Sequence, residues 1–206
     1  MHTNHYIKYS IIFTLISVAS LIFAAWASYA VIFYDAKIYE ENDIIENTQA
    51  ALLIFSCIFY LFNSLEDKSS KRYISLSLSL LCYIFLLREV NVKRLDVPEI
   101  LKFFGSGWGR NISYLVGITY ILFAIYKRGF LNFKNTLIVF LKSPQSKLLF
   151  YAGGLLILGD IFEKNSHLSF HMFFEEISEF FGYVLILISA IYQHYYFIGE
   201  KYKAQS

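Results

Sequence analysis

Charged residues divide this chain of 206 residues into long apolar windows. Windows 9–34, 47–65 and 180–199 contain 26, 19 and 20 residues without a charge. An α-helix rises 1.5 Å per residue, so about 20 apolar residues cross a hydrocarbon core that is about 30 Å thick. Each of these three windows therefore predicts a membrane-spanning helix.

Three further windows are apolar but shorter. Windows 73–87, 111–126 and 148–159 contain 15, 16 and 12 uncharged residues. Each needs flanking residues to cross, and long Lys and Arg stems can carry their charges to the headgroups. Asp160 has a short side chain, so a re-entrant or interfacial fifth segment is the alternative to a span. The predicted spans lie near residues 9–34, 47–65, 72–91, 111–127, 145–162 and 176–199.

Residues 129–141 are apolar but too short to cross a bilayer. Interspersed polar residues predict an amphipathic segment on the membrane surface that ends near Pro144. The predicted fold is therefore all-α, a polytopic transmembrane helix bundle of about six spans with one interfacial segment. We interpret residues 1–206 as a single transmembrane domain.

Composition supports this class of protein. The chain is 57% hydrophobic and 17% charged, whereas soluble domains are about 45–50% apolar and about 25% charged. The net charge of +2 is too small to indicate a nucleic-acid partner. The expected partners are the lipid bilayer and either further copies of the chain or an operon-encoded protein. Abundant Ile, Phe, Tyr, Asn and Lys is typical of a bacterial protein from an AT-rich genome.

The distribution of charge predicts an orientation. With a cytoplasmic N-terminus, the inner segments carry eleven basic residues and the outer segments seven. The positive-inside rule then favours an orientation with both termini cytoplasmic. For a bacterial multi-pass protein, this predicts a location in the inner membrane. Thirteen of the sixteen acidic residues fall on the outer side. They indicate either ordinary acidic loops or an acidic outer vestibule.

Ionisable residues at the outer ends of the spans are the candidates for that vestibule. Such residues are costly within a membrane and are usually paired, so we expect Arg88, Glu89 and Asp160 to form a buried polar cluster. The alternatives are an ordinary interfacial ion pair and acids that favour the positive end of a helix. The predicted vestibule residues are Glu46, Arg88, Glu89, Arg110, Asp160 and Glu163.

A four-residue repeat precedes the last span. His167, His171, Glu175 and Glu179 would lie on nearly the same face of one helix. Imidazoles and carboxylates at this spacing can chelate a divalent metal such as zinc, which is the one cofactor that the sequence suggests. A hydrated helix entrance or a proton-responsive His and Glu pair would produce the same pattern.

Two resemblances follow from these motifs. Glu40-Glu41-Asn42-Asp43 with Glu46-Asn47, Arg88-Glu89-Val90-Asn91 and Glu175-Glu176 resemble segments of small, uncharacterised polytopic bacterial membrane proteins, which implies no activity. Glu41-Asn42 with His167-x3-His171 is similar to the pattern of the seven-helix membrane hydrolases related to alkaline ceramidases. That resemblance implies a membrane-embedded zinc that activates water.

The sequence is compatible with three classes of function. A non-catalytic inner-membrane component, such as a sensor, scaffold or partner subunit, is favoured because the sequence contains no complete catalytic motif. A metal-dependent membrane hydrolase acting on lipid would use the histidine repeat. A small transporter or channel would use an acidic vestibule to attract cations. The sequence leaves open whether the protein is an enzyme.

Overall fold

The computed structural model describes residues 3–34, 44–67, 69–90, 92, 98–165, 167 and 170–203. Within these ranges the chain is helical and has no strand, which confirms the predicted all-α class. The helices of the described ranges are α1 (Thr3–Tyr34), α2 (Ile44–Glu66), α3 (Lys71–Glu89), α4 (Glu99–Gly105), α5 (Gly107–Arg128), α6 (Phe130–Leu141), α7 (Pro144–Lys164) and α8 (His171–Lys203).

Local sequence explains the boundaries of α6. Gly129 has a φ of 96°, which is accessible mainly to glycine, and the chain bends by 110° between α5 and α6 there. At the other end, Ser143 caps α7 by accepting a hydrogen bond from the backbone N–H of Ser146 at 3.3 Å, and Pro144 occupies the first turn. The segment predicted at 129–141 therefore contains a separate short helix, α6, which begins after Gly129.

The apolar helices support membrane association. Ser10–Phe33 within α1, and α2, are long and apolar enough to cross a membrane, and α5 with α6 adds a third candidate if the bent pair forms one span. Helices α3, α7 and α8 also cover predicted spans. No stretch of 18 residues in these three helices is both apolar enough and poor enough in charge to count as a candidate span. Helix α4 was not predicted from the sequence.

Helix α8 is the centre of the packing. It contacts α1, α2 and α7, while α3 packs on α2, and α5 packs on α3. Tyr60 of α2 and Tyr183 of α8 are the largest fully buried side chains, and both lie in a cluster with Leu53 and Cys82. The bundle has an acidic end, where α3 and α7 end and α8 begins, and an opposite end, where α2 ends and α3 and α7 begin.

The outward faces of α1 and α5 are apolar. Ile22 and Phe33 of α1 are 64% and 68% exposed, and Leu115 and Leu122 of α5 are 65% and 61% exposed. Contiguous apolar surfaces of this kind are rare on soluble proteins. They are suited to contact with lipid.

Candidate functional site

Arg88, at the end of α3, lies between two carboxylates. Its Nε donates a hydrogen bond to Oε1 of Glu89 at 3.0 Å, and its Nη2 donates to Oε1 of Glu179 on α8. Both glutamates are buried, whereas about half of the Arg88 side chain is exposed. Hydrogen bonds between ionised groups are roughly twice as strong as neutral ones, so this contact fastens α3 to α8.

Two neutral side chains complete this arrangement. The Tyr183 hydroxyl donates to Oε1 of Glu89 at 2.7 Å. Nε2 of Gln49 on α2 lies 2.9 Å from both the backbone oxygen and Oε2 of Glu176. Tyr183 and Gln49 are both fully buried. We call these six residues the Arg88 cluster, namely Gln49, Arg88, Glu89, Glu176, Glu179 and Tyr183; it links α2, α3 and α8.

A glycine allows α7 to approach the cluster. A Cβ atom at Gly159 would lie 2.8 Å from Cγ of Glu179 and 3.4 Å from the backbone oxygen of Glu175. Such a short distance essentially never occurs in real structures, so any larger side chain at this position would displace Glu179. Helix α7 thereby covers the cluster and contributes no charge at the point of contact.

The acidic end carries more negative than positive charge. Arg88 is the one cation of its cluster, which contains three carboxylates, and it pairs with two of them, Glu89 and Glu179. Glu175 lies next to them and precedes the predicted span at 176. Burial, together with the negative charges of Glu163 and Glu179, raises its pKa to about 7. The acidic end therefore favours a proton or another cation.

The structure brings together Arg88, Glu89 and Glu179 among the residues predicted from sequence. Asp160 does not join them, because its carboxylate pairs with Nζ of Lys164 at 2.5 Å on an accessible part of α7. The predicted trio of Arg88, Glu89 and Asp160 is therefore corrected. Gly159 occupies the contact with α8, and the next residue of a helix points about 100° away.

The other predicted vestibule residues lie around the cluster. Nη1 of Arg110 donates to the backbone oxygen of Leu87 at 3.4 Å, which joins α5 to the end of α3. Glu46 is half-buried in the first turn of α2, and Glu163 is exposed in the last turn of α7. These three side chains thus lie around the acidic end.

The histidine repeat is only partly helical. Helix α8 begins at His171, so His167 precedes it and the predicted four-residue face is wrong at that position. Glu179 is already paired with Arg88. Within the described ranges, no group of three or more His, Cys, Asp and Glu side chains is placed to hold a metal. These residues do not provide the three protein ligands of a catalytic zinc, and a bound metal stays a hypothesis.

Sequence reasoning missed three members of the Arg88 cluster as site residues. Tyr183 had a usable signal, since it continues the four-residue spacing of His171, Glu175 and Glu179. Glu176 was noted only for a resemblance. Gln49 had no signal, because one neutral amide does not interrupt a charge-free window.

Comparison with known proteins adds no family. No family model matches the chain, and no curated protein or solved structure matches it either. Of the motifs behind the two resemblances, Glu40–Asp43 and Asn91 lie outside the described residues. The site is therefore the source of information on function.

Proposed function

We propose that this chain is a non-catalytic integral component of a bacterial inner membrane, of the sensor, scaffold or partner-subunit kind. The Arg88 cluster carries the proposal, because Arg88 of α3 pairs with Glu179 of α8 and Gln49 of α2 donates to Glu176 of α8, so the cluster joins three helices. A cluster whose carboxylates are already occupied by Arg88, Tyr183 and Gln49 is suited to holding helices together.

Helix lengths are compatible with the six proposed spans, and the excess of basic residues in the inner segments supports cytoplasmic termini. From Glu176 to Tyr196, α8 rises about 30 Å, the thickness of a hydrocarbon core. Its polar side chains Ser178, Glu179 and Ser189 are buried inside the bundle. Polar residues within membranes usually face the bundle interior, which explains how α8 can cross with lower apolarity than α1.

The imbalance of charge favours a sensor within this class. A proton or cation that reaches the acidic end would relieve repulsion among the carboxylates. Its entry would then change the contact between α3 and α8. Among the described residues, the charged and titratable side chains at this end include Glu46 of α2, Arg88 and Glu89 of α3, Glu99 and Lys102 of α4, Arg110 of α5, Asp160, Glu163 and Lys164 of α7, His167 before α8, and His171, Glu175, Glu176, Glu179 and Tyr183 of α8.

A distance measurement tests the sensor proposal. Spin labels at Val90→Cys and Met172→Cys, in the full chain with Cys57 and Cys82 changed to alanine, report the separation of α3 and α8 at the acidic end. We expect the distance distribution to change between pH 5 and pH 8. We expect Glu175→Gln combined with Glu176→Gln to remove the change. A distribution that is the same at both pH values contradicts the sensor proposal.

One observation favours a second candidate, a small cation transporter or channel. Excess negative charge at the acidic end would attract cations, and a polar cavity lies near the opposite end of α8. Between them, however, Leu53, Tyr60 and Cys82 are packed in the core. Cation flux into liposomes that Glu179→Gln abolishes would support transport over the sensor function.

The lipid-hydrolase hypothesis is tested by chelator-sensitive hydrolysis of lipid by the purified protein.

A further inference from the structure

Helix α6 exposes an apolar face on the outside of the bundle. Four of its apolar side chains are exposed, and a helix advances about 100° per residue, so they lie within one arc of about 100°: Phe130, Leu131, Ile138 and Leu141. Its polar side chains Asn132, Asn135 and Thr136 instead line a cavity shared with the starts of α3 and α7. A surface helix of a soluble protein packs its apolar face inward, so this arrangement favours an apolar medium outside α6.

The fold holds α6 across the end of α5. The two helix axes differ in direction by 110°, which is 20° more than a right angle. If α5 crosses the membrane, α6 therefore lies nearly parallel to the membrane surface. Phe133 of α6 packs against Tyr73 at the start of α3 and Ile125 near the end of α5. This contact places α6 at the level where the hydrocarbon core meets the headgroups.

The charges on and beside α6 all have the same sign. Residues 127–147 contain five basic residues and no acidic one. Four of these are exposed lysines, which together with the four exposed apolar side chains we call the α6 surface: Lys127, Lys134, Lys142 and Lys147. By the same helical rotation, Lys134 falls inside the apolar arc and Lys142 just beyond its edge. A lysine stem can lie along apolar surface while its ammonium group reaches the headgroups.

Neighbouring elements add to the positive charge. Lys71 and Arg72 begin α3, close to the residues that hold α6. The described acidic side chains at this end are Glu66 and Asp67, at the end of α2. Asp67 is buried, and its carboxylate accepts a hydrogen bond from the backbone N–H of Ser69 at 2.7 Å. The described side chains at this end thus carry more positive than negative charge.

We propose that the α6 surface binds the headgroups of anionic phospholipids such as phosphatidylglycerol. Basic amphipathic helices at a membrane surface combine buried apolar area with attraction to anionic lipid. Here the lysine ammonium groups would donate to lipid phosphates, and acyl chains would cover the apolar arc. The proposal rests on the membrane location proposed above, but it does not depend on the Arg88 cluster or on the sensor function.

Spin-labelled lipids test the proposal with the full chain in phosphatidylcholine liposomes. Electron spin resonance separates lipid that is immobilised at the protein from freely moving lipid. It thereby compares the association of spin-labelled phosphatidylglycerol with that of spin-labelled phosphatidylcholine. We expect phosphatidylglycerol to associate about fivefold more strongly, which corresponds to about 1 kcal/mol. Added salt should reduce this preference, because it screens exposed charges.

Matched variants locate the lipid site. Lys134→Gln combined with Lys142→Gln removes two charges from the α6 surface, and we expect the preference to fall to about twofold or less. Lys127→Gln combined with Lys147→Gln is the second variant if the first does not fold. The control is Lys102→Gln combined with Lys164→Gln, which removes the same charge near the acidic end. It should keep the preference of the natural chain.

The possible contrary results are distinct. Equal association of the two lipids with the natural chain would overturn the proposal and leave the basic residues with a role in orientation alone. A preference that persists in both α6 variants, or that only the control loses, would also overturn it. The absence of immobilised lipid of either kind would contradict the membrane location itself.

Discussion

The two ends of the bundle show contrasting ways to bury polar side chains. The Arg88 cluster at the acidic end is charged, and its carboxylates are paired with Arg88, Tyr183 and Gln49. The cavity at the opposite end, which we call the amide cavity, is lined mostly by neutral side chains, among them Asn63, Gln145 and Gln193. Polar atoms without a partner among the described residues occur at both ends: Oε1 of Gln49 in the cluster, and one atom each of Asn63, Gln145 and Gln193 beside the cavity. Along α8, Glu179 and Gln193 are only about 21 Å apart at 1.5 Å per residue.

The contrast follows from the different costs of unpaired groups. A buried charge without a counter-charge is so costly that the fold itself must pair it. An unpaired amide costs less, so a fold can retain it. The acidic end therefore forms a joint between α3 and α8 that is held by paired charges and carries excess negative charge, whereas the other end is held by neutral side chains around a cavity.

The largest effect is expected from removing the single cation of the joint. Arg88→Gln leaves Glu89 and Glu179 without their counter-charge. We expect a loss of about 2–3 kcal/mol in the free energy of unfolding, between the values for exposed and buried pairs, because half of Arg88 is exposed. Chemical unfolding in detergent measures it.

Two further variants show whether the loss arises from pairing. Adding Glu179→Gln should restore part of the stability, because the buried charge is then removed. Arg110→Gln is the matched control, since among the described residues Arg110 donates to a backbone oxygen, that of Leu87 at 3.4 Å, and to no carboxylate. Strictly additive losses for Arg88→Gln and Glu179→Gln would show that these residues are not coupled.

Equivalent glutamine substitutions at the two ends compare them directly. Gln49→Met removes two hydrogen bonds to Glu176 and should cost about 2 kcal/mol. Gln145→Met removes an oxygen that accepts no hydrogen bond from any described residue, so we expect a change within about 0.5 kcal/mol. Unfolding of both variants under the same conditions provides the comparison. Equal losses would contradict the difference between the two ends.

The contact between α7 and the Arg88 cluster is tested by adding one methyl group. Gly159→Ala would place a Cβ 2.8 Å from Cγ of Glu179, and we expect it to destabilise the protein by about 1–2 kcal/mol. Gly154→Ala, in the same helix, meets no described atom within 4 Å. It should be neutral or stabilise the helix by up to about 1 kcal/mol. Melting temperatures that fall equally for both variants would show that α7 does not cover Glu179 closely.

A smaller effect is expected from pH. The pKa of Glu175 is raised to about 7 in the folded protein, so folding favours its protonated form. Its stabilising contribution is complete below the unfolded pKa of about 4.5 and is lost as pH rises through 7. We expect the melting temperature to fall from pH 5 to pH 8 and to fall less in Glu175→Gln.

The same pH series separates this account from a metal site. Metal affinity would fall as pH drops through about 6.5, because histidine must be neutral to bind. A metal-bound protein would therefore lose stability towards acid pH, and a chelator would remove that trend. A chelator that lowers the melting temperature at pH 8 would favour the metal hypothesis.

The sequence predicted the acidic end far better than the amide cavity. Charges stand out against apolar windows, so Arg88, Glu89 and Glu179 were all identified, and the helical class followed from the same pattern. Asp160 was misassigned because spacing alone does not show which face of α7 contacts α8. Asn63, Gln145 and Gln193 are neutral and far apart in sequence, so only the folded structure brings them together.

The central claim is that the acidic end and the amide cavity lie on opposite sides of a membrane. Single cysteines at Lys164→Cys and Lys142→Cys, in a chain with Cys57 and Cys82 changed to alanine, test it with an impermeant maleimide. We expect labelling of position 164 in intact cells and of position 142 only after the membrane is opened. Labelling of both positions from the same side would contradict the account.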